Sequence, residues 1–130
     1  MRLISSKQMR QRAVPHRYPS NPGYESRIHS FQFSDDGQLV AGYWEAPPGR
    51  FQADIDEQTE VNFVIEGEIE LLQEGKSFVA RAGDCFVAEP GDKLEWIVKK
   101  AIRTIYFIYP TNAELSRFFK ELEAGGTWNT

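Results

Sequence analysis

Residues 49–67 read GRFQADIDEQTEVNFVIEG and place a group of acidic side chains directly before an apolar run. The group contains four carboxylates: Asp54, Asp56, Glu57 and Glu60. The apolar run at 61–65 is rich in β-branched and aromatic residues, which favours a strand. Carboxylates that converge beside a strand can bind a metal ion or transfer protons, so this stretch predicts a functional site.

Length and composition limit the class of protein. The chain has 130 residues, enough for one domain with its own core. Its hydrophobic content of 41% and aromatic content of 13% indicate a packed globular protein. A formal net charge of -4 argues against broad nucleic-acid binding, and no apolar run reaches the roughly 18 residues needed to cross a bilayer. We therefore expect neither nucleic acid nor a membrane as partner.

The single cysteine, Cys85, has no intramolecular partner for a disulfide, which predicts a reducing, cytoplasmic location. A catalytic thiol needs a nearby base or positive charge to lower its pKa. We predict instead that Cys85 is a small, buried core residue.

The chain divides into three parts by composition. Residues 1–23 are basic and proline-rich, with no acid before Glu25. They predict a short helix or extended arm that lies on the domain or on a partner subunit rather than in the core. The alternative is a targeting peptide or an anion-binding tail. Residues 24–110 contain short β-type runs separated by turn signals, as in an all-β sandwich or barrel. Residues 111–124 predict a C-terminal helix.

Eight or nine strands are expected within the β region. Turn signals at 35–37 and 74–75 predict tight connections. The pair Glu66-Gly67 predicts a further connection, between a strand at 61–65 and one at 69–72. The last two strands are expected at 94–98 and 102–109. No long βαβ crossover is present, which excludes a parallel α/β sheet.

The helix is predicted from its start signal and its apolar stripe. Thr111 and Glu114 have the spacing of a capping box. Apolar side chains then recur at helical spacing and predict a face that packs on the barrel or on a neighbour: Leu115, Phe118, Phe119 and Leu122. Gly125-Gly126 is expected to end the helix.

An ordered set of motifs resembles the cupin superfamily. The set comprises GYWEAPPG at 42–49, Glu60 seven positions before Gly67, Ala82-Gly83-Asp84, PGDKLEW at 90–96, and Arg103 three before Tyr106. Within the superfamily it is most similar to small single-domain proteins resembling the ureidoglycine aminohydrolase cupin domain. The resemblance implies an all-β fold, a double-stranded β-helix or jelly-roll barrel with the functional site in its mouth. It also implies a homodimer, since cupins commonly dimerise.

The metal ligands of typical cupins are not preserved. The two histidine positions of the first cupin motif fall on Asp54 and Asp56, and that of the second motif falls on Leu94. The histidines of this sequence, His16 and His29, lie outside both motifs. Two interpretations follow. Asp54, Asp56 and Glu60 could bind an oxygen-preferring ion such as Mg²⁺ or Mn²⁺, or the metal site has been lost, which we favour.

A pocket without metal could still bind and react. Glu60 as a general base and Tyr106 as an acid would suffice for proton transfer. Arg103 offers bidentate binding of an anion, while Tyr43 and Trp96 offer aromatic walls. The alternative is that Trp96 and Tyr106 belong to the barrel core.

Two classes of function therefore remain open. The first is a protein that binds a small polar metabolite in the barrel without the usual histidine metal site. The second is a non-catalytic module for sensing or assembly. An enzyme that uses a carboxylate-bound metal on ureido or amide compounds is a further alternative.

Overall fold

The computed structural model describes residues 1–124, which form two helices and eight strands. In chain order these elements are α1 (Ser6–Arg12), β1 (Val14–Tyr18), β2 (Asn21–Phe33), β3 (Val40–Ala46), β4 (Gly49–Asp54), β5 (Thr59–Gln73), β6 (Lys76–Arg81), β7 (Cys85–Ala88), β8 (Lys93–Tyr109) and α2 (Ala113–Ala124). The expected all-β jelly roll is confirmed. No helix among these residues is long and apolar enough to cross a membrane. The predicted helix stop at Gly125-Gly126 lies outside the described residues.

The eight strands form one hydrogen-bonded sheet that folds into two layers, which we call the two sheets of the barrel, and the long bent strands β5 and β8 run through both. They pair with each other in antiparallel fashion from Thr59 opposite Tyr109 to Leu72 opposite Glu95. The first half of β5 also pairs with β7 and its second half with β6. In the same way β8 pairs with β4 through its first half and with β3 through its second. Each strand therefore belongs to both sheets, and the apolar core lies between them.

The predicted break at Glu66-Gly67 is wrong, because the chain bends there without reversing. The ladder between β5 and β8 shifts register between Val64 and Ile69, as at a β-bulge. Gly67 has a φ of 95°, and a Cβ at this position would overlap the backbone of Ala101 on β8. A glycine thus lets the two backbones approach closely. The two strands expected on each side of the bend are one continuous strand in β5, and likewise in β8.

Two tight turns lie where the sequence predicts them. Gly37, in the loop between β2 and β3, has a φ of 72°. Glu74 and Gly75 connect β5 to β6 with φ values of 48° and 79°. Both central residues of this hairpin are left-handed, which the twist of the flanking strands favours.

Residues 1–23 do not lie wholly outside the core, as the predicted arm would: α1 buries no residue, but β1 does. They begin with the short helix α1, but β1 then pairs with β2 along the edge of the sheet. Val14 is buried in the core cluster. Pro15 is tolerated because an edge strand has one row of backbone groups that needs no partner. Of the prolines that indicated an arm, Pro15 lies on β1, Pro19 in the turn after it and Pro22 near the start of β2.

Two further expectations need correction. Asn112, not Thr111, caps α2, because its side-chain oxygen accepts a hydrogen bond from the Leu115 amide at 2.7 Å. The Thr111 hydroxyl donates instead to the backbone oxygen of Gly37. Cys85 is exposed rather than buried, because it occupies an outward position of β7.

The apolar stripe of α2 packs on the barrel in part. Phe119 is buried in the core, and Leu115 and Leu122 pack against it. Phe118 is exposed, although its ring contacts His16 edge to face at 5.7 Å. The helix therefore covers one end of the sheet formed by β1 and β2.

Gly42 on β3 makes room for a side chain of the neighbouring strand. It lies opposite Tyr106 in the ladder with β8. A Cβ on Gly42 would overlap the Tyr106 hydroxyl and the backbone oxygen of His29. Position 42 therefore requires glycine because the interior has no room for a larger side chain there.

We predict that Gly42→Ala destabilises the protein by about 1–3 kcal/mol, the range for overpacking a tight interior. Urea denaturation would measure the loss. Gly23→Ala is the matched control, since a Cβ on Gly23 meets nothing within 4 Å. Equal stability of the two variants would contradict the packing described for Tyr106.

Candidate functional site

A cavity of about 190 Å³ lies inside the barrel between the two sheets. Its walls come from β1, β2, β3, β4, β5, β8 and α2, and its lining residues are His16, Tyr18, Ile28, Trp44, Phe51, Ala53, Asp54, Ile55, Glu60, Asn62, Trp96, Tyr106, Ile108 and Phe119. The volume is comparable to the ~150 Å³ of an engineered apolar cavity in another protein that takes up benzene. A molecule of about that size would fit.

Glu60 is the carboxyl group that the barrel encloses. It stands on β5, with Asn62 next along the same face because alternate residues of a strand share a face. Its Oε2 accepts a hydrogen bond from Nε2 of Gln58 at 3.1 Å. Burial raises the pKa of Glu60, and the Gln58 bond opposes this rise only in part. Its accessible surface is that of a half-buried residue, because that surface faces the cavity.

Tyr106 and Asn62 form the polar wall beside Glu60. They lie opposite each other in the ladder between β8 and β5. The Tyr106 hydroxyl is 2.7 Å from Oγ of Ser30, and Asn62 accepts a hydrogen bond from the Thr104 hydroxyl at 2.8 Å. Burial raises the pKa of Tyr106, and the charges of Glu123 and Glu60 add to this rise. The phenol is thus kept protonated near Glu60.

Four aromatic rings form a further part of the cavity lining, which we call the aromatic wall. Tyr18 stacks on Phe51 with ring centroids 3.7 Å apart, and Phe51 stacks on Trp96 at 5.6 Å. Trp44 stands nearly perpendicular to Phe51 and Trp96, at 77° and 75°. Trp96, expected either as a pocket wall or as core, is therefore both: it is buried and it lines the cavity.

The hydrogen-bonding groups of these rings are used within the protein. The indole N–H of Trp44 donates to the Tyr18 hydroxyl, and that of Trp96 donates to the backbone oxygen of Ala53, both at 3.0 Å. The Tyr18 hydroxyl also lies 3.0 Å from Oγ of Ser26. Burial raises the pKa of Tyr18 to about 12. The aromatic wall thus presents mainly ring surface to the cavity.

Three lining residues come from parts of the chain that sequence reasoning placed outside the site. His16 and Tyr18 lie two apart on β1, and Phe119 belongs to α2. Period-two spacing of His16 and Tyr18 is the signal that could have identified β1 as a strand. Burial lowers the pKa of His16 to about 4, so its imidazole is uncharged at neutral pH.

The C-terminal helix is attached to the polar wall of the cavity. Glu123 of α2 accepts a hydrogen bond from the Ser30 amide at 2.6 Å and lies 2.9 Å from Nδ1 of His29. Phe119 stacks on Tyr106 with centroids 6.1 Å apart. The Ser30 hydroxyl in turn contacts Tyr106, so α2 helps to fix the position of that phenol.

The candidate metal ligands are not brought together. Asp54 and Asp56 are both exposed, and only Asp54 touches the cavity. The inward positions of β4 and the loop after it belong to Phe51, Ala53 and Ile55, which are apolar. Within residues 1–124 no group of three or more histidine, cysteine or acidic side chains is arranged to hold a metal ion. This donor set does not fit the metal centre of typical cupins.

Arg103 and Tyr43 do not line the cavity. Arg103 donates to the Tyr43 hydroxyl at 2.9 Å and to Oγ of Ser6 on α1 at 3.0 Å, and it pairs with Glu66 at 3.3 Å. Arg103 and Tyr106 are three residues apart on one strand, so their side chains project from opposite faces. The arginine connects α1, β3, β5 and β8 on the outside of the barrel.

Comparison with known proteins shows where the fold recurs. A sequence model described as the EutQ-like cupin domain matches residues 33–106. Among solved structures, the EutQ protein of Clostridium difficile is 24% identical, with 72% of this chain and 75% of that chain covered and a TM-score of 0.63. A proposed ethanolamine utilization protein Q of Salmonella typhimurium LT2 is 23% identical, with 75% of this chain and 80% of that chain covered and a TM-score of 0.67.

A predicted oxalate decarboxylase of Thermotoga maritima is less similar in sequence than these two proteins. It is 16% identical, with 85% of this chain and 100% of that chain covered and a TM-score of 0.64. These structural likenesses establish the fold alone. No match was found among curated proteins. The narrower resemblance to the ureidoglycine aminohydrolase cupin domain stays a prediction.

We predict that Glu60→Gln stabilises the protein at neutral and alkaline pH. The pKa of Glu60 is higher in the folded state than the ordinary value of 4.5. The folded state therefore binds the proton more tightly than the unfolded state, and the contribution of Glu60 to stability is lost as pH rises through the folded pKa. Glutamine stays neutral and keeps its volume.

Urea denaturation at several pH values would measure the difference in stability between Glu60→Gln and wild type. A range of about pH 4 to 9 brackets the titration of a glutamate with a raised pKa. The gain of Glu60→Gln over wild type should be near zero at the acidic end and grow with pH. Glu68→Gln is the control, because Glu68 pairs with Arg81 at 2.8 Å outside the cavity. A difference between Glu60→Gln and wild type that does not grow with pH would contradict the raised pKa of Glu60.

Proposed function

We propose that this chain, which belongs to the family of EutQ-like cupin domains, binds a small polar molecule inside its barrel without the histidine metal site of typical cupins. The observation that carries the proposal is Glu60, a carboxyl group buried in a cavity with aromatic walls. Burial of an ionisable group lowers stability unless a partner compensates it. Such a group in a cavity is the default candidate for a binding or catalytic site.

Proton transfer is a further capacity of the same pocket. A raised pKa brings Glu60 closer to the pH at which a general base works best. Tyr106, by contrast, is held as a protonated phenol and serves better as a hydrogen-bond donor than as an acid. We therefore propose binding as the primary function, with Glu60 as the group that would move a proton if the bound molecule reacts.

The alternatives receive less support from the geometry. An enzyme with a carboxylate-bound metal would need Asp54 and Asp56 beside Glu60, whereas both aspartates are exposed. A non-catalytic sensing role uses the same binding event and differs only in the absence of turnover. The exposed thiol of Cys85 is compatible with the cytoplasmic location that we propose.

Filling the cavity tests the proposal. Ala53 lines the cavity, and Ala53→Leu would occupy part of its volume. We predict that ligand-observed NMR detects at least one binder among benzene-sized polar compounds of neutral, cationic and anionic type. Ala53→Leu should weaken that binding by about tenfold or more, equivalent to about 1.4 kcal/mol.

Ala82→Leu is the matched control, because Ala82 is exposed and lies outside the cavity lining. It should bind as wild type does. The proposal would be wrong if no compound of any charge class binds, or if binders are unaffected by Ala53→Leu.

We also propose that the chain forms a homodimer through the outer apolar face, which we define as Val61, Phe63, Val87, Phe107 and Tyr109. Val61 lies between Val87 and Phe107 across three adjacent strands. Phe63, Val87, Phe107 and Tyr109 are each more than two fifths exposed. A contiguous apolar patch of this kind marks an interface, and two identical patches can pair about a twofold axis.

Light scattering at micromolar concentration would measure the oligomeric state. We predict that wild type is a dimer and that Phe107→Glu is a monomer. Val79→Glu, which changes an exposed valine on β6 outside this face, should stay dimeric. A monomeric wild type would contradict the proposal.

A further inference from the structure

The charge of the cavity lining limits which ligands it accepts. The lining residues include two acids, Asp54 and Glu60, and one base, His16, but neither lysine nor arginine. His16 is uncharged near neutral pH because burial lowers its pKa to about 4. The side chains around the cavity therefore supply negative charge or none. An anion placed here would lie beside Glu60 with no cation to offset the repulsion.

The arginine that the sequence suggested as an anion receptor is engaged elsewhere. Arg103 lies on the outer side of β8 with its guanidinium on Tyr43, Ser6 and Glu66. It also lies over the Tyr43 ring at 5.6 Å. It cannot contribute its charge to the cavity.

The aromatic wall is suited to a cation. Tyr18, Trp44, Phe51 and Trp96 line the cavity together, and their N–H and hydroxyl groups bond within the protein. A ring face that borders the cavity offers a ligand negative electrostatic potential, which attracts organic cations. Tryptophan is the strongest of these rings in cation–π contacts, and two are present here.

Glu60 has one oxygen left for a ligand. Its Oε2 accepts from Gln58, whereas Oε1 accepts no hydrogen bond from residues 1–124. A positively charged group beside Oε1 would replace part of the solvation that the carboxylate loses on burial. The carboxylate and the ring surfaces that line the same cavity thus favour the same kind of ligand.

We infer that the ligand of the barrel cavity is a small organic cation, an ammonium compound of about the size of benzene, held between the Glu60 carboxylate and the aromatic wall. This inference rests on the proposed function, since it assigns a chemical class to the molecule bound in the same cavity. It replaces the anionic ligand that Arg103 suggested from the sequence.

Charge-matched probes test the inference. One pair is choline and the neutral alcohol in which carbon replaces the choline nitrogen. The second pair is n-propylammonium and propan-1-ol, and the carboxylate analogue of the neutral choline isostere serves as the anion. Binding is followed through the indole N–H resonances of Trp44 and Trp96 in nitrogen–hydrogen correlation spectra, assigned with Trp44→Phe and Trp96→Phe.

At least one cation should bind about tenfold or more tightly than its neutral partner, and the anion should bind more weakly than both. Glu60→Gln should remove most of this preference, weakening the cation about tenfold and leaving the neutral compound within about twofold. Glu68→Gln, which changes a carboxylate outside the cavity, should leave the preference intact.

Three results would overturn the inference: neutral or anionic probes that bind as tightly as the cations, a preference that survives Glu60→Gln, or cations that shift neither indole resonance. Each would leave the proposed function standing if the wider screen still finds a binder that Ala53→Leu weakens. Failure of both experiments would instead reject binding in the cavity altogether.

Discussion

The antiparallel pairing of β5 with β8 is the constraint on which the barrel and its cavity depend. It fixes which residues face inward, because a strand alternates its side chains between two faces. Asn62 and Tyr106 meet across this ladder, with Glu60 two residues along. A shift of one residue in register would move all three to the outer side. The bulge at Gly67 lets the same two strands continue into the second sheet and close the barrel.

Much of this architecture could be predicted from the sequence. The cupin motifs indicate the jelly roll, and Glu60, Trp96 and Tyr106, which the sequence predicts at the site, line the cavity, while their roles stay predictions. From the sequence, Arg103 and Tyr106 are expected in one pocket. The two are three residues apart on one strand, however, so their side chains project from opposite faces of the sheet. His16 and Tyr18 are not predicted to line the cavity, because the prolines in and after β1 argue against a strand there. The Cα path of a bent strand depends on contacts between distant backbones, as at Gly67 and Ala101, which local patterns do not report.

The site combines a buried carboxyl group, which opposes folding, with apolar contacts that stabilise the fold around it. Burial of Glu60 opposes folding, while the aromatic stack of Tyr18, Phe51 and Trp96 and the packing of Phe119 supply apolar contacts around it. The first motif keeps its glutamate, but the inward positions before it are apolar. The acidic stretch at 49–67 therefore provides one buried carboxyl and a set of exposed ones. The pocket around that carboxyl has aromatic walls, and within residues 1–124 no group of side chains is arranged to hold a metal ion.

The most direct test of this account is the pKa of Glu60 in the folded protein, measured by carbon-detected NMR of its side-chain carboxyl group, with Glu60→Gln to assign the signal. We predict a titration midpoint above the ordinary glutamate value, because the carboxyl lies in a cavity walled by rings and a protonated phenol. A midpoint at or below the ordinary value would contradict the account, since it would place Glu60 in solvent or beside a cation.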